Sequence, residues 1–308
     1  MTNPRGRLEA GRVARFYPRP PHDPLLNQEG NSATTNLTHL ALARRPLPQG
    51  EGCNSHGERC RIASTMGSSK IVPYSLLALA YALGCGSLGL FGLFLWAGPR
   101  PIADLHLRTS MALAFDALLC VAFFLQHSVM IRKSFRTRFA AVLPDHYQPV
   151  VYAIASGVVL LLLPVLWQPT HLGVLALQGP LRWLARGAFL AAMAGMVWGF
   201  GSLQSFDPIG SGPLRAHLRG APAPTIPFTI RGPYRWVRHP IYSSMLLLIW
   251  ASPDLSADRL LFNILWTVWM AVATRLEERD LAAEFGEPYM KYQRVVPMLV
   301  PLSLRPHL

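Results

Sequence analysis

Arg238-His239-Pro240-Ile241-Tyr242 is the densest run of chemically capable side chains in the sequence. Pro240 suits the first turn of a helix, where its missing N–H costs nothing. The sequence therefore predicts a helix starting there, with His239 beside the free backbone N–H groups. Those groups and the positive end of the helix dipole attract anions. Arg235 and Arg238 add charge of the same sign, so the run reads as an anion-binding mouth. Basic and aromatic residues at a membrane boundary also serve as plain anchors, but anchoring does not require His-Pro-x-Tyr.

A second group follows at Glu277-Glu278. Asn263, Trp266, Met270, Thr274, Glu277 and Leu281 recur at three- and four-residue spacing, which places them on one helix stripe. Glu277 thus carries a buried stripe to the end of the apolar run, while Glu278 lies about 100° round the helix. Gly286 reads as a terminator and Pro288 as enforcing the stop, before Tyr289, Tyr292 and Arg294. A third group is Asp116 and His127, separated by about three helical turns and sharing a face with Cys120 and Phe123. An acid inside an apolar span is a functional candidate by default. A structural hydrogen bond inside the bundle is the competing reading for Asp116, and for Gln126-His127-Ser128 both readings stand.

Two other patterns carry less. Gly84-Cys85-Gly86-Ser87-Leu88-Gly89 fits the dinucleotide fingerprint, but that has meaning only between a strand and a helix. Here it interrupts an apolar run, where small residues, like Gly195 and Gly199, let helices approach closely. Cys53, His56 and Cys60 lack a fourth ligand, so no metal site is expected. Cys85 and Cys120 lie within apolar runs and are expected to pack there.

Long apolar segments must position these groups. Val72–Gly98, Thr109–Ile131, Val150–Trp167 and Leu184–Leu203 are each about long enough to cross roughly 30 Å of hydrocarbon. Ile241–Ala251 and Leu260–Thr274 are shorter and read as a helical hairpin that returns the chain to the same side, its tip holding Ser252-Pro253-Asp254 and Ala257-Asp258-Arg259. Of 308 residues, 51% are hydrophobic and 15% charged, against about a quarter charged in soluble domains. The expected fold is an all-α polytopic membrane bundle of about six helices. Residues 71–204 would hold four transmembrane helices, and residues 205–308 a loop, the hairpin and a C-terminal cofactor-binding region.

Residues 1–70 are rich in Pro, Gly, Asn and Arg without sustained period, and are expected to be disordered and basic. They read as a membrane-surface tail or as dispensable, with Met66 as an alternative start. The formal net charge of +13 suggests nucleic acid until its distribution is read. Arg132, Lys133, Arg136 and Arg138 lie in one inter-span loop, and Arg215, Arg219, Arg231, Arg235 and Arg238 in another. The intervening loops are poor in them, so the basic excess follows membrane orientation, with both termini cytoplasmic in a bacterial inner membrane. Nucleic acid is not needed as a partner.

Arg238-His239-Pro240-x-Tyr242, Glu277-Glu278-x-x-Leu281 and Phe285-Gly286-x-x-Tyr289-x-x-Tyr292 together resemble the membrane methyltransferases related to isoprenylcysteine carboxyl methyltransferase. That superfamily also contains phospholipid N-methyltransferases and NnrU-like proteins. Leu125-Gln126-His127-Ser128-Val129-Met130, Leu166-Trp167-Gln168-Pro169 and Arg231-Gly232-Pro233-Tyr234-Arg235 look like the bacterial methanethiol S-methyltransferase branch. The chain departs from the pattern at Ser243-Ser244 and in the loop Ser205–Gly210, both near the expected acceptor pocket.

The resemblance implies methyl transfer from S-adenosylmethionine. Arg238, His239 and the helix N-terminus would hold the donor's carboxylate, and Glu277 and Glu278 its ammonium or ribose hydroxyls. Tyr242, Tyr289 and Tyr292 would line the adenine or face the sulfonium. His127 and His239 are the candidate catalytic groups, either taking the proton of a thiol acceptor. The favoured acceptor is a small thiol such as methanethiol. A lipid-like acceptor, either an isoprenylcysteine carboxylate or a phospholipid amine, and a non-catalytic NnrU-type role are the alternatives. Sterol-reductase relatives share part of the C-terminal architecture, but nothing selects their nicotinamide chemistry.

Overall fold

A computed structural model describes residues 70–100, 102–203, 207–222, 228–303 and 305–306. The expectations for residues 1–69, including Cys53, His56, Cys60 and the Met66 start, lie outside the described residues. Helices α1 (Ile71–Ala97), α2 (Thr109–Ile131), α4 (Gln148–Leu166) and α5 (Gly179–Ser202) follow the four long apolar runs, and a short α3 (Lys133–Phe139) connects α2 to α4. After α6 (Ser211–Leu218) and a 3-10 turn (Gly232–Arg235) come α7 (Pro240–Trp250), α8 (Ala257–Phe285) and α9 (Glu287–Val295). Five of these helices, α1, α2, α4, α5 and α8, are long and apolar enough to cross a membrane. The chain is an all-α integral membrane protein.

α4 packs against α1 and α2, α2 also packs against α8, and α5 packs against α7. The core is aromatic: Trp266 stacks on Phe91 and Phe123, with ring centroids 5.0 and 5.3 Å apart. Among the glycines, a methyl group at Gly199 would lie 2.9 Å from Ile241 Cγ1, and one at Gly195 would lie 2.6 Å from Ser244 Oγ. These two positions let α5 close on the start of α7, as small residues do between membrane helices. In the Gly84-x-Gly-x-x-Gly run only Gly84 is a contact point, against Ile209; Gly86 and Gly89 meet nothing within 4 Å.

The hairpin has unequal arms. α7 has 11 residues and spans about 16 Å, whereas α8 has 29. The missing length of the first arm is extended chain. Its end forms β2 (Asp254–Ser256), antiparallel to β1 (Gly173–Ala176) in the loop between α4 and α5. The tip therefore reaches the same end of the bundle as that loop, called here the far end; the opposite end carries Arg238 and Glu277 and is the site end.

Asp258 and Arg259, expected in the tip loop, are in the first turn of α8 and fully buried. Arg259 donates to the carbonyls of Phe94 (3.3 Å) and Leu95 (3.2 Å) at the C-terminal turn of α1, where a cation meets unpaired C=O groups and the negative dipole end. Asp258 accepts from Trp167 Nε1, Thr170 N and Thr170 Oγ1. Asp116 accepts from the backbone N–H of Gln168 at 2.9 Å. The structure thus gives Asp116 the structural of its two readings, fastening the chain where it leaves α4.

Candidate functional site

α7 begins at Pro240 with His239 as its cap. The chain just before it is clamped by the C-terminal segment: Arg238 N donates to Pro297 O at 2.9 Å and His239 N to Met298 O at 3.0 Å. Ser243 Oγ bonds both His239 O and Leu299 O. Ser243 thus serves the clamp and Ser244 packs against Gly195, which gives both departures after Tyr242 a packing role. The other departure, the loop 205–210, is only partly described; Asp207 there accepts from the N–H of Gly212 at the start of α6.

α8 brings the two glutamates to the same place and uses them differently. Arg238 donates from Nε to Glu278 Oε1 at 2.6 Å and from Nη1 to the carbonyls of Gln293 and Val296. Glu278 Oε1 is also 3.2 Å from His239 Nε2, and its Oε2 accepts from Gln293 Nε2 at 3.4 Å. Glu278 is therefore occupied by a buried network joining α7, α8 and α9. Glu277 meets that network through His239, whose Nδ1 stands 4.0 Å from Oε2, and its carboxylate accepts from the Tyr242 hydroxyl.

Beside this network is a cavity of about 130 Å³, walled by Phe200, Ile241, Tyr242, Glu277, Tyr289 and Tyr292, with Phe228, Tyr234, Arg238 and His239 completing it. Glu278 is not in the wall; it stands behind, holding Arg238. Tyr292 O–H donates to Tyr234 O at 2.7 Å. The Tyr289 hydroxyl is buried without a partner among the described residues. Burial pushes the pKa of Tyr234, Tyr289 and Tyr292 up, so this side of the wall is neutral phenol at physiological pH. Phe228 packs edge-on to Tyr289 and Tyr292 and closes the apolar side. Pro288, expected only to end a helix, opens α9, which delivers both tyrosines; the break itself falls at Gly286, where φ is +59°.

The structure thus brings together Arg238, His239, Tyr242, Glu277, Tyr289 and Tyr292, with Glu278 supporting from outside. His127 is elsewhere. Its ring lies against Phe123 and Trp269, and the Tyr152 hydroxyl is 2.9 Å from Nδ1 and 3.0 Å from Nε2. Sequence reasoning did not single out Tyr152, Tyr234 or Phe228. Tyr152 was findable as a lone phenol in an apolar span at the same end as His127.

No family model matches the chain, and no solved structure matches it. Curated proteins do. The methanethiol S-methyltransferase of Pseudomonas deceptionensis is 36% identical over 207 residues, covering 63% of this chain and 74% of that protein. Methanethiol S-methyltransferase 2 of Bradyrhizobium diazoefficiens is 34% identical over 236 residues, 75% of this chain and 88% of its own. Nurim of Rattus norvegicus is 27% identical over 202 residues, 58% and 72% of the two chains. At this identity and coverage, the protein is a member of the methanethiol S-methyltransferase family.

Proposed function

We propose that the protein transfers a methyl group from S-adenosylmethionine to a small thiol such as methanethiol. One observation carries the reading. In a wall where Arg238, His239 and Tyr292 already have partners, Tyr289 has no partner for its hydroxyl among the described residues, and Glu277 meets the Tyr242 hydroxyl and a distant imidazole but no guanidinium or ammonium among those residues. Those two groups fit a ligand that carries positive charge and hydrogen-bonding atoms, as the donor does. Bound there, the donor would supply an electrophilic methyl carbon on a sulfonium, whose broken C–S electron pair stays on its sulfur.

The chain's own residues hold and exclude. Glu277 would pair with the donor's ammonium or ribose hydroxyls, and Tyr242, Tyr289 and Tyr292 would supply aromatic faces to the sulfonium or adenine. The N-terminal N–H groups of α7, with His239, would receive its carboxylate. Arg238 contributes by fixing Glu278 and the tail, since its Nε and Nη1 are already used. The acceptor attacks as thiolate, and its proton has two imidazoles available, His239 in the wall and His127 in the bundle. Positioning and water exclusion supply the rest of the rate.

Both termini would face the cytoplasm from a bacterial inner membrane, with residues 71–204 as the transmembrane part and residues 205–308 as the cofactor-binding part. The basic loops 132–138 and 215–238 support that orientation. The test is purified protein with methyl-labelled S-adenosylmethionine and a panel of methanethiol, longer thiols, isoprenylcysteine and phospholipid. Label in a volatile sulfide is the expected result. Label in isoprenylcysteine or phospholipid replaces the acceptor, and no donor binding at all removes the catalytic reading.

A further inference from the structure

Away from the cavity, the loop side of the site end holds a second concavity, of about 30 Å³, between the end of α2, α3 and the start of α4. At roughly 10–15 Å³ for one water-sized sphere, that admits a molecule of only a few heavy atoms. Met130, Phe135, Phe139, Leu143 and Val151 make its surface apolar, and Tyr152 belongs to its wall. Gln148 also lines it and is nearly buried. Its Nε2 is turned to the carbonyls of Arg136 and Leu143, while its Oε1 is buried without a partner among the described residues. An apolar recess of this size with one unanswered acceptor oxygen fits a small apolar molecule carrying a single donor hydrogen.

Two further features give the recess direction. Tyr152 holds His127 at 2.9 Å on the bundle side. On the outer side α3 presents a stacked Phe135–Phe139 pair, centroids 5.1 Å apart, beside Arg136 and Arg138. Apolar rings next to arginines are what a helix at the lipid–water boundary carries. We infer that this recess is the acceptor port, where a small apolar thiol leaves the membrane interface and is held by Gln148 and Tyr152 before transfer. The inference rests on the proposed function and deepens it. A thiol waiting there lies beside the Tyr152–His127 pair, which explains why an imidazole stands outside the donor cavity.

The test uses the full chain in lipid nanodiscs with Val151→Cys. After folding, iodoacetamide alkylates Cys at that position through a thioether, releasing iodide, and so fills the recess with a group that a thiol substrate cannot exchange, without asking a bulky residue to fold there. The parent protein treated identically is the control for the native cysteines. The expected result is a KM for methanethiol raised by about an order of magnitude, with kcat and S-adenosylhomocysteine affinity unchanged. Complete modification with an unchanged thiol KM overturns the port. A second readout needs no turnover: dimethyl sulfide, with the same carbon–sulfur body, should slow the modification. If it does so in a protein that methylates no thiol, the recess stands and the proposed function falls. If thiols are methylated but dimethyl sulfide gives no protection and the filled recess leaves KM alone, the reverse holds. Stronger protection by long alkyl chains than by dimethyl sulfide would make the recess a lipid slot and overturn the inference.

Discussion

At the far end, Arg259 and Asp258 are neighbours on α8 and buried, with their hydrogen bonds directed to Phe94, Leu95, Trp167 and Thr170. At the site end, Arg238 and Glu278 make a similar arrangement around Gln293, Val296 and His239. The difference is what stands next to each. Beside the far pair is Asp116, itself fixed to Gln168. Beside the near pair is Glu277, which opens on a cavity. Buried charge at the far end fastens irregular backbone, whereas at the site end one acid, Glu277, faces a cavity, where the proposed function places the donor.

That contrast can be broken. The largest effect is expected from Arg259→Leu, which strips the α1 carbonyls of their donor and leaves Asp258 without its neighbouring cation. Removing one partner from such a buried set costs about 3–5 kcal/mol, so folded yield and melting temperature in detergent should fall sharply. A melting temperature within about 2 °C of the parent's, the range of a minor change in a chain this long, would mean the far network fastens nothing.

Glu277→Gln should do the opposite. Melting should be unaltered, and S-adenosylhomocysteine affinity by calorimetry should drop about tenfold to a hundredfold, the loss expected for a charged hydrogen-bond partner. Unchanged affinity in the folded variant would turn Glu277 into a second fastening and dissolve the contrast. Glu278→Gln belongs between the two. It leaves Arg238 short of an anion, so a lower melting temperature should accompany a weaker affinity, and a pure affinity effect would put Glu278 in the cavity after all. The smallest change is Tyr289→Phe. With no partner for the hydroxyl among the described residues, stability should hold while affinity falls by about 0.5–1.5 kcal/mol, the net value of one neutral hydrogen bond. Equal affinity for both forms would mean that hydroxyl faces no ligand.

The sequence carries the helices openly because hydrocarbon sets their length and composition, so α1, α2, α4 and α5 coincide with apolar runs. It also carries the stripe from Asn263 to Leu281, since helical period alone fixes a face. It misleads at Asp258-Arg259, where two charges after Ser-Pro-Asp look like a solvated turn. What buries Arg259 is the end of α1, contributed from 164 and 165 residues away, and no local pattern announces it. The different uses of Glu277 and Glu278 are half legible. Their 100° separation says they face different ways, but which faces the cavity depends on Arg238, Gln293 and the tail. Tyr152 escapes for the same reason, since its meaning comes from His127 on another helix.

The clamp of Pro297, Met298 and Leu299 on Arg238, His239 and Ser243 has a consequence for biosynthesis. Every helix from α1 to α9 leaves the ribosome before those residues do. A chain stopped just short of Pro297 would carry all its membrane spans and both glutamates, and would lack the segment that sets His239 at the head of α7. Insertion and competence are thereby separated in time. The newly made protein can settle in the bilayer as a bundle and complete the wall around Glu277, the proposed donor site, only when its last stretch folds back.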